Sequence, residues 1–206
     1  MTNDLRRLVS ATEARSRARA ANDVLRRAAE EAGRVDVALG TVDSPIGQLF
    51  VAVTPRGLVC VAFEGEDRES LVRRFASALS PRVLAAVRAT DDVRRQLDEY
   101  FAGARPRFEL RLDRRLMTPF SREVLDATAR VPFGHLATYG SVAARIGHPK
   151  AARAVGAALG SNPIPIVVPC HRVVGASGAL TGYAGGLDRK AFLLRLEGDP
   201  VLDRDA

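Results

Sequence analysis

Residues 118–160 read TPFSREVLDATARVPFGHLATYGSVAARIGHPKAARAVGAALG, and this stretch decides the architecture of the second half of the chain. Thr118-Pro119 is a helix start. Threonine is a favoured N-cap, and proline is tolerated in a first turn whose N–H groups lack helical partners anyway. Phe120, Val124, Leu125 and Ala129 follow at helical spacing, and Pro132 stops the run. After a turn at Phe133-Gly134, residues 141–146 predict a short helix ended by Gly147. His148-Pro149-Lys150 is a tight connection, and residues 151–159 predict a second helix closed by Gly160. A helix, a short connection and another helix make a helix-turn-helix. In the last helix Ala151, Ala152, Ala154, Gly156, Ala157, Ala158 and Gly160 leave Arg153 as the one long side chain. A helix so stripped suits either tight internal packing or close approach to a DNA groove. Base-reading helices carry several polar side chains, so a DNA contact made by this one implies little sequence specificity.

Upstream the pattern changes. Residues 35–42, 48–53 and 58–63 are short runs rich in Val and Phe. Ser44-Pro45-Ile46-Gly47 and Thr54-Pro55-Arg56-Gly57 separate them as turns, predicting a strand meander. Residues 67–79 and 83–102 predict helices, and the alternating Phe108-Glu109-Leu110-Arg111-Leu112 predicts a returning strand. The fold class is therefore α+β: a small α+β domain over residues 34–113, then a mostly helical winged-helix or helix-turn-helix domain over residues 114–206. Residues 1–33, rich in Ala, Arg and Glu but thin in apolar positions, predict a helical or disordered extension.

Composition narrows the function classes. No apolar run approaches membrane-spanning length, and the arginine-rich start lacks the apolar core of a secretory signal, so a cytoplasmic protein is expected. Cys60 and Cys170 are too few for a disulfide framework. His135, His148 and His171 do not join them at metal-ligand spacing, so neither metal nor cofactor is expected. Cys60, within Leu58-Val59-Cys60-Val61, predicts a buried structural thiol. The net charge is +7, and from Arg114 to Lys190 ten basic residues face three acidic ones, while the rest of the chain balances at 21 against 21. A general arginine bias would not remove acids from one segment. A polyanionic partner for the second half explains it better.

The chemistry-bearing segment is Ile164-Pro165-Ile166-Val167-Val168-Pro169-Cys170-His171-Arg172-Val173-Val174. Prolines stiffen an apolar run that delivers a cysteine beside a histidine and an arginine. Thiolate is the reactive form, and neighbouring positive charge is expected to lower the Cys170 pKa. An imidazole can take the thiol proton, here through a bridging water because chain neighbours rarely point at one another.

With Asn162-Pro163 ahead of it, this string resembles the active-site signature of the O6-alkylguanine-DNA alkyltransferases. The resemblance runs from about Thr118 to Gly198. It includes Tyr139, the block Lys150-Ala151-Ala152-Arg153-Ala154-Val155-Gly156 and the block Gly182-Tyr183-Ala184-Gly185-Gly186-Leu187; more loosely it includes the preceding domain, which the family builds as a ribonuclease H-like fold. The resemblance implies irreversible, single-turnover transfer of an alkyl group from O6-alkylguanine to Cys170, with O4-alkylthymine as a further candidate substrate. It implies His171 as general base through water, Glu197 as its orienter, Asn162 as the support of the active-site turn, and Tyr139 near the extruded base and its 3′ phosphate. Arg153 would fill the gap left by that base, with Lys150, Ala151, Ala152 and Gly156 beside it on the DNA. Leu159, Val173, Tyr183, Ala184 and Gly185 would line the pocket. The implied partner is double-stranded DNA, contacted mainly through the minor groove with little sequence specificity. No membrane is involved, a monomer is expected, and cooperativity along DNA is left open. Where some relatives carry a serine, Ala184 offers only its backbone N–H, which leaves the substrate range open. Three rivals make different predictions. A DNA-binding homologue that only flags lesions replaces the acceptor cysteine, whereas Cys170 is present. A transcriptional regulator needs base-reading side chains where Ala and Gly stand, and a cysteine hydrolase turns over repeatedly.

Overall fold

The computed structural model describes residues 33–198 and, ahead of them, only Val24 and Ala28. The extension expected over residues 1–33 thus lies outside the described residues apart from Val24, Ala28 and Gly33. Strands β1 (Val37–Val42), β2 (Leu49–Thr54) and β3 (Gly57–Ala62) form an antiparallel meander, and β4 (Val83–Ala85) lies parallel to β1, giving the order β3-β2-β1-β4. The β1–β2 register pairs Ala38 with Val53 and Val42 with Leu49. Strand alternation then sorts the apolar side chains onto two faces. Ala38, Val42, Leu49, Val51 and Val53 lie in a core that also holds Val93, Leu97 and Tyr100 and apolar residues of the second half of the chain. Val37, Phe50, Ala52, Val59, Cys60 and Ala62 face the other way and pack around Phe75 of α1 (Arg68–Ala78). Asp67 caps that helix by accepting from the Ser70 N–H at 3.1 Å.

Two expected elements differ. The segment 83–102 is not one helix. Its first three residues pair with β1, a 3₁₀ turn follows at Arg88–Thr90, and α2 begins only at Asp91 and runs to Phe101. Val83, Val87 and Ala86 mimic a helical stripe, but the open edge of β1 supplies backbone partners that a helix would forgo. Residues 108–112 form no strand beyond a bridge between Leu112 and Leu58. The buried side chain of Gln96 occupies the backbone of Glu109 instead, accepting from its N–H at 2.8 Å. This segment crosses β3 where Leu58 donates to the Arg111 carbonyl at 2.8 Å. Gly57 permits the crossing: at φ +132° it sits so close that a Cβ would lie 2.1 Å from that carbonyl oxygen.

The second half follows the expected order. Helix α3 (Pro119–Ala129) starts at Thr118, whose hydroxyl accepts from Ser121 N–H at 3.2 Å. Helix α4 (Tyr139–Arg145) starts two residues earlier than its apolar pattern suggests, because Thr138 and Ser141 form a reciprocal capping box. Helix α5 (Ala152–Gly160) follows, then the Cys170–Arg172 3₁₀ turn, β6 (Val173–Val174) paired in parallel with β5 (Ala137–Thr138), and α6 (Leu187–Leu196). Val124, Val142, Val155, Ile164, Ile166, Val173 and Leu193 are fully buried and share one core with the inner face of the sheet. Each such side chain contributes about 1.5–3 kcal/mol by leaving water. Among the described residues no helix is long and apolar enough to cross a membrane.

Candidate active site

The turn at residues 161–169 presents the cysteine. Asn162 organises it from inside: its Oδ1 accepts from Ile164 N–H at 3.0 Å, and its Nδ2 donates to the Val168 carbonyl at 3.0 Å and lies 3.2 Å from Cys170 Sγ. Val61 of β3 donates to the Pro163 carbonyl at 2.8 Å, fixing the turn to the sheet. Ile166 is held at φ +72°, a left-handed conformation that a β-branched side chain avoids. Such strain costs on the order of 1–3 kcal/mol. Burial of the whole Ile166 side chain offsets it.

Cys170 begins the 3₁₀ turn, and His171 and Arg172 point inward behind it, all three buried. His171 Nε2 sits 2.9 Å from Glu197 Oε1, at the C-terminal end of α6. Arg172 donates to both carboxylate oxygens, at 2.7 and 2.9 Å, and to the Val131 carbonyl at 2.6 Å. The Tyr100 hydroxyl, from the first domain, donates to Glu197 Oε1 at 2.7 Å. Burial pushes the Glu197 pKa up, but hydrogen bonds from His171 and Arg172 outweigh it and hold the carboxyl at about 2. Burial keeps the His171 pKa below its ordinary value, so the ring is neutral at pH 7. An ionised acceptor on Nε2 assigns the proton to that nitrogen. Nδ1 is left with its lone pair, and it makes no hydrogen bond among the described residues.

The expectation of a lowered Cys170 pKa is corrected here. Burial pushes the thiol up to about 11, with Asn162 and Lys190 pulling weakly the other way. The reason lies in Arg172, whose guanidinium is spent on Glu197 and Val131 rather than on sulfur. Sequence reasoning also missed Lys190. It is fully buried, its ammonium donates to the carbonyls of Val173 and Thr181 at 2.6 and 2.8 Å, and burial lowers its pKa to about 8. A lysine three residues into an ordinary helix carries no local signal of that kind. Tyr100 was equally silent, standing 97 residues from Glu197. Cys60 is buried on the far face of the sheet, where desolvation raises its pKa to about 12.

The remaining candidates form two groups. Of the pocket candidates, Val173 and Leu159 are buried, Tyr183 and Gly185 are half-buried and Ala184 is exposed, with the Tyr183 ring 6.5 Å from that of His171. Lys150 and Arg153 are exposed, while Ala151, Ala152 and Gly156 are half-buried. Gly156 serves packing: a Cβ there would meet the Tyr139 ring at 3.7 Å. Tyr139 also donates its hydroxyl to the Thr181 carbonyl at 3.3 Å. Both readings of the small-residue helix are thus compatible, since one face packs and the Arg153 face is open.

Glu197 carries a pH signature. Its folded pKa of about 2 lies below the ordinary 4.5, so its contribution to stability is complete above pH 4.5 and is lost as pH falls towards 2. That contribution is about 3 kcal/mol. Denaturation midpoints measured between pH 5 and 2 should fall with a steeper slope in the wild type than in Glu197→Gln; parallel slopes would refute it.

Two family models match the chain. One is described as the 6-O-methylguanine DNA methyltransferase ribonuclease-like domain, over residues 37–114, and the other as its DNA binding domain, over residues 119–199. A methylated-DNA–protein-cysteine methyltransferase of Methanosarcina acetivorans is 53% identical over 157 residues, spanning 76% of this chain and 95% of its own. One from Mycolicibacterium paratuberculosis is 48% identical, over 76% and 90%. Among solved structures, Mycobacterium tuberculosis O6-methylguanine methyltransferase superposes with a TM-score of 0.69 at 42% identity, covering 78% of this chain and 92% of that one. A second structure of the tuberculosis protein, in complex with DNA, gives 0.68 at 41%, with the same coverage.

Proposed function

The chain belongs to the 6-O-methylguanine DNA methyltransferase family, and from that premise we propose that Cys170 is the acceptor of the alkyl group. The activity is DNA repair by direct reversal, a transfer of alkyl groups from O6-alkylguanine in DNA to a protein cysteine. The observation that carries the assignment of Cys170 is the neutral His171, next to it in the chain, held by an ionised Glu197 with Nδ1 left open. A resting thiol near 11 is unreactive at pH 7, so the site needs a base, and neutral His171 with a free Nδ1 is one.

In the proposed step a water relays the Cys170 proton to His171 Nδ1, and Arg172 and Tyr100 keep Glu197 ionised to stabilise the imidazolium that forms. The thiolate attacks the alkyl carbon; the S–C bond forms as the bond from that carbon to O6 breaks. Guanine leaves with the electron pair and takes up one proton, which balances the one given up by the thiol. A thioether is not hydrolysed, so each molecule acts once. The base must leave the stack, because O6 is out of reach of a cysteine in the duplex. Tyr139 borders the extruded base, Val173, Tyr183, Ala184, Gly185 and Leu159 form the pocket, and Arg153 takes the place of the base. Lys150, Ala151, Ala152 and Gly156 flank it on the minor-groove side. The acid-poor second half and the lack of base-reading side chains on α5 support non-specific, backbone-led binding by a monomer. Free thiols fit a reducing cytoplasm.

The test is stoichiometric. The protein is incubated with duplex oligonucleotide containing O6-methylguanine, digested, and its peptides weighed. The Cys170 peptide should gain one methyl, saturating at one per chain. An unmodified Cys170 beside a persisting lesion would overturn the assignment, and release of methyl with repeated turnover would indicate a hydrolase.

A further inference from the structure

The pocket loop at residues 183–186 is braced from the first domain. Phe63, just beyond β3 and 3% exposed, packs its ring edge-on against Tyr183 with centroids 5.7 Å apart. It also approaches Gly185 so closely that a Cβ there would lie 2.8 Å from the Phe63 ring. Arg189 of α6 clamps this contact. Its guanidinium lies 5.2 Å above the Phe63 ring and donates to the Ile46 carbonyl at 2.9 Å and the Gly185 carbonyl at 3.1 Å. Phe63 also lines a cavity of about 310 Å³ between the domains, with Met117, Pro163 and Ala184 among the other lining residues. It also reaches Asn162, which touches the sulfur.

We propose that Phe63 is a specificity-determining residue: it is the wall between the alkyl-accepting pocket and the interdomain cavity, and its ring sets the largest O6 substituent the site takes. The inference rests on the reading that Cys170 accepts the alkyl group. An aromatic ring backed by a cation is a stiff wall, and the carbonyl bonds of Arg189 tie it to both domains at once. Removing the ring joins the two spaces. A methyl group gains nothing from the added volume, whereas an arylmethyl group gains apolar surroundings for its ring. The first domain thus takes part in substrate choice although it contributes no reacting atom.

The rates of Cys170 alkylation are measured for the wild type, Phe63→Ala and Phe63→Leu with two duplexes, one containing O6-methylguanine and the other O6-benzylguanine. The benzyl-to-methyl rate ratio should rise by about tenfold in Phe63→Ala, the scale on which one apolar wall discriminates between substrates. It should rise less in Phe63→Leu, which keeps most of the wall and carries the test if the alanine variant melts below the assay temperature. A ratio within about twofold of wild type in every folded variant, or a parallel fall of both rates, would overturn the proposal and leave Phe63 a packing residue. Absence of alkylation at Cys170 in the wild type on both duplexes would be a different failure: it overturns the acceptor assignment and the proposal with it.

Discussion

Glu197→Gln is expected to slow alkyl transfer at pH 7 by about ten-thousandfold, the scale seen when the orienting acid of a nucleophile–base pair is neutralised. The same change should lower stability by about 3–5 kcal/mol, because it strips a buried guanidinium of its counter-charge. Arg172 makes two hydrogen bonds to the carboxylate and one to Val131, with its side chain 7% exposed. A glutamine amide can accept from Arg172 but cannot balance its charge. Turned the other way, its NH₂ faces His171 Nε2 and drives the ring into the tautomer with the proton on Nδ1, where the base is needed. The pH profile separates this role from a merely structural one. In the wild type, proton transfer inside the site makes the rate level from neutral pH up towards the Cys170 pKa of about 11. On the acid side the rate falls as pH drops through the lowered pKa of His171, since the base is then protonated. In Glu197→Gln only thiolate formed by loss of a proton to solvent can react, so the rate should climb about tenfold per pH unit up to that same value. Glu197→Asp, which keeps the charge, should retain the plateau. A glutamine variant with a plateau of its own would show that Glu197 supports the fold and not the base.

How far the sequence disclosed this site depends on the range of each interaction. The Thr118 cap, the strand turns and the helix-ending glycines are local chemistry, and they were legible one by one. Thr118 caps as its hydroxyl and the following proline demand, whereas the Thr138 cap, which starts its helix two residues ahead of expectation, was not read. The Cys170-His171-Arg172 triplet was legible as reactive chemistry, but the charge logic drawn from it failed for Cys170. Adjacency in sequence says nothing of direction, and Arg172 points at a carboxylate 25 residues away. Pairings that depend on distant chain segments were invisible. Tyr100 completes the Glu197 cluster across 97 residues, and Gln96 replaces a strand partner for Glu109. Residues 83–85 illustrate the same point for secondary structure. Their apolar spacing fits a helix, and only the vacant edge of β1 makes them a strand.

Arg153→Ala should reduce repair of duplex DNA by about a hundredfold while leaving reaction with free O6-benzylguanine within about twofold of wild type. The reason is that the proposed finger acts on the helix and not on the reacting atoms. Extruding a base costs a few kcal/mol of lost stacking and pairing. A side chain that fills the gap recovers part of that cost, and about 2.7 kcal/mol corresponds to a hundredfold. Arg153 is exposed in the first turn of α5, and small half-buried neighbours at Ala151, Ala152 and Gly156 let the helix backbone approach a groove that bulkier residues would hold at a distance. A free base needs no extrusion, so it reports the pocket alone. Salt dependence adds a second discriminator. Lys150→Ala, if it removes a phosphate contact, should flatten the plot of log affinity against log salt by about 0.9. Arg153→Ala should leave that slope nearly unchanged, because an inserted side chain replaces a base and not a counterion. Equal losses on duplex and free base would move Arg153 from the groove to the chemistry of the pocket.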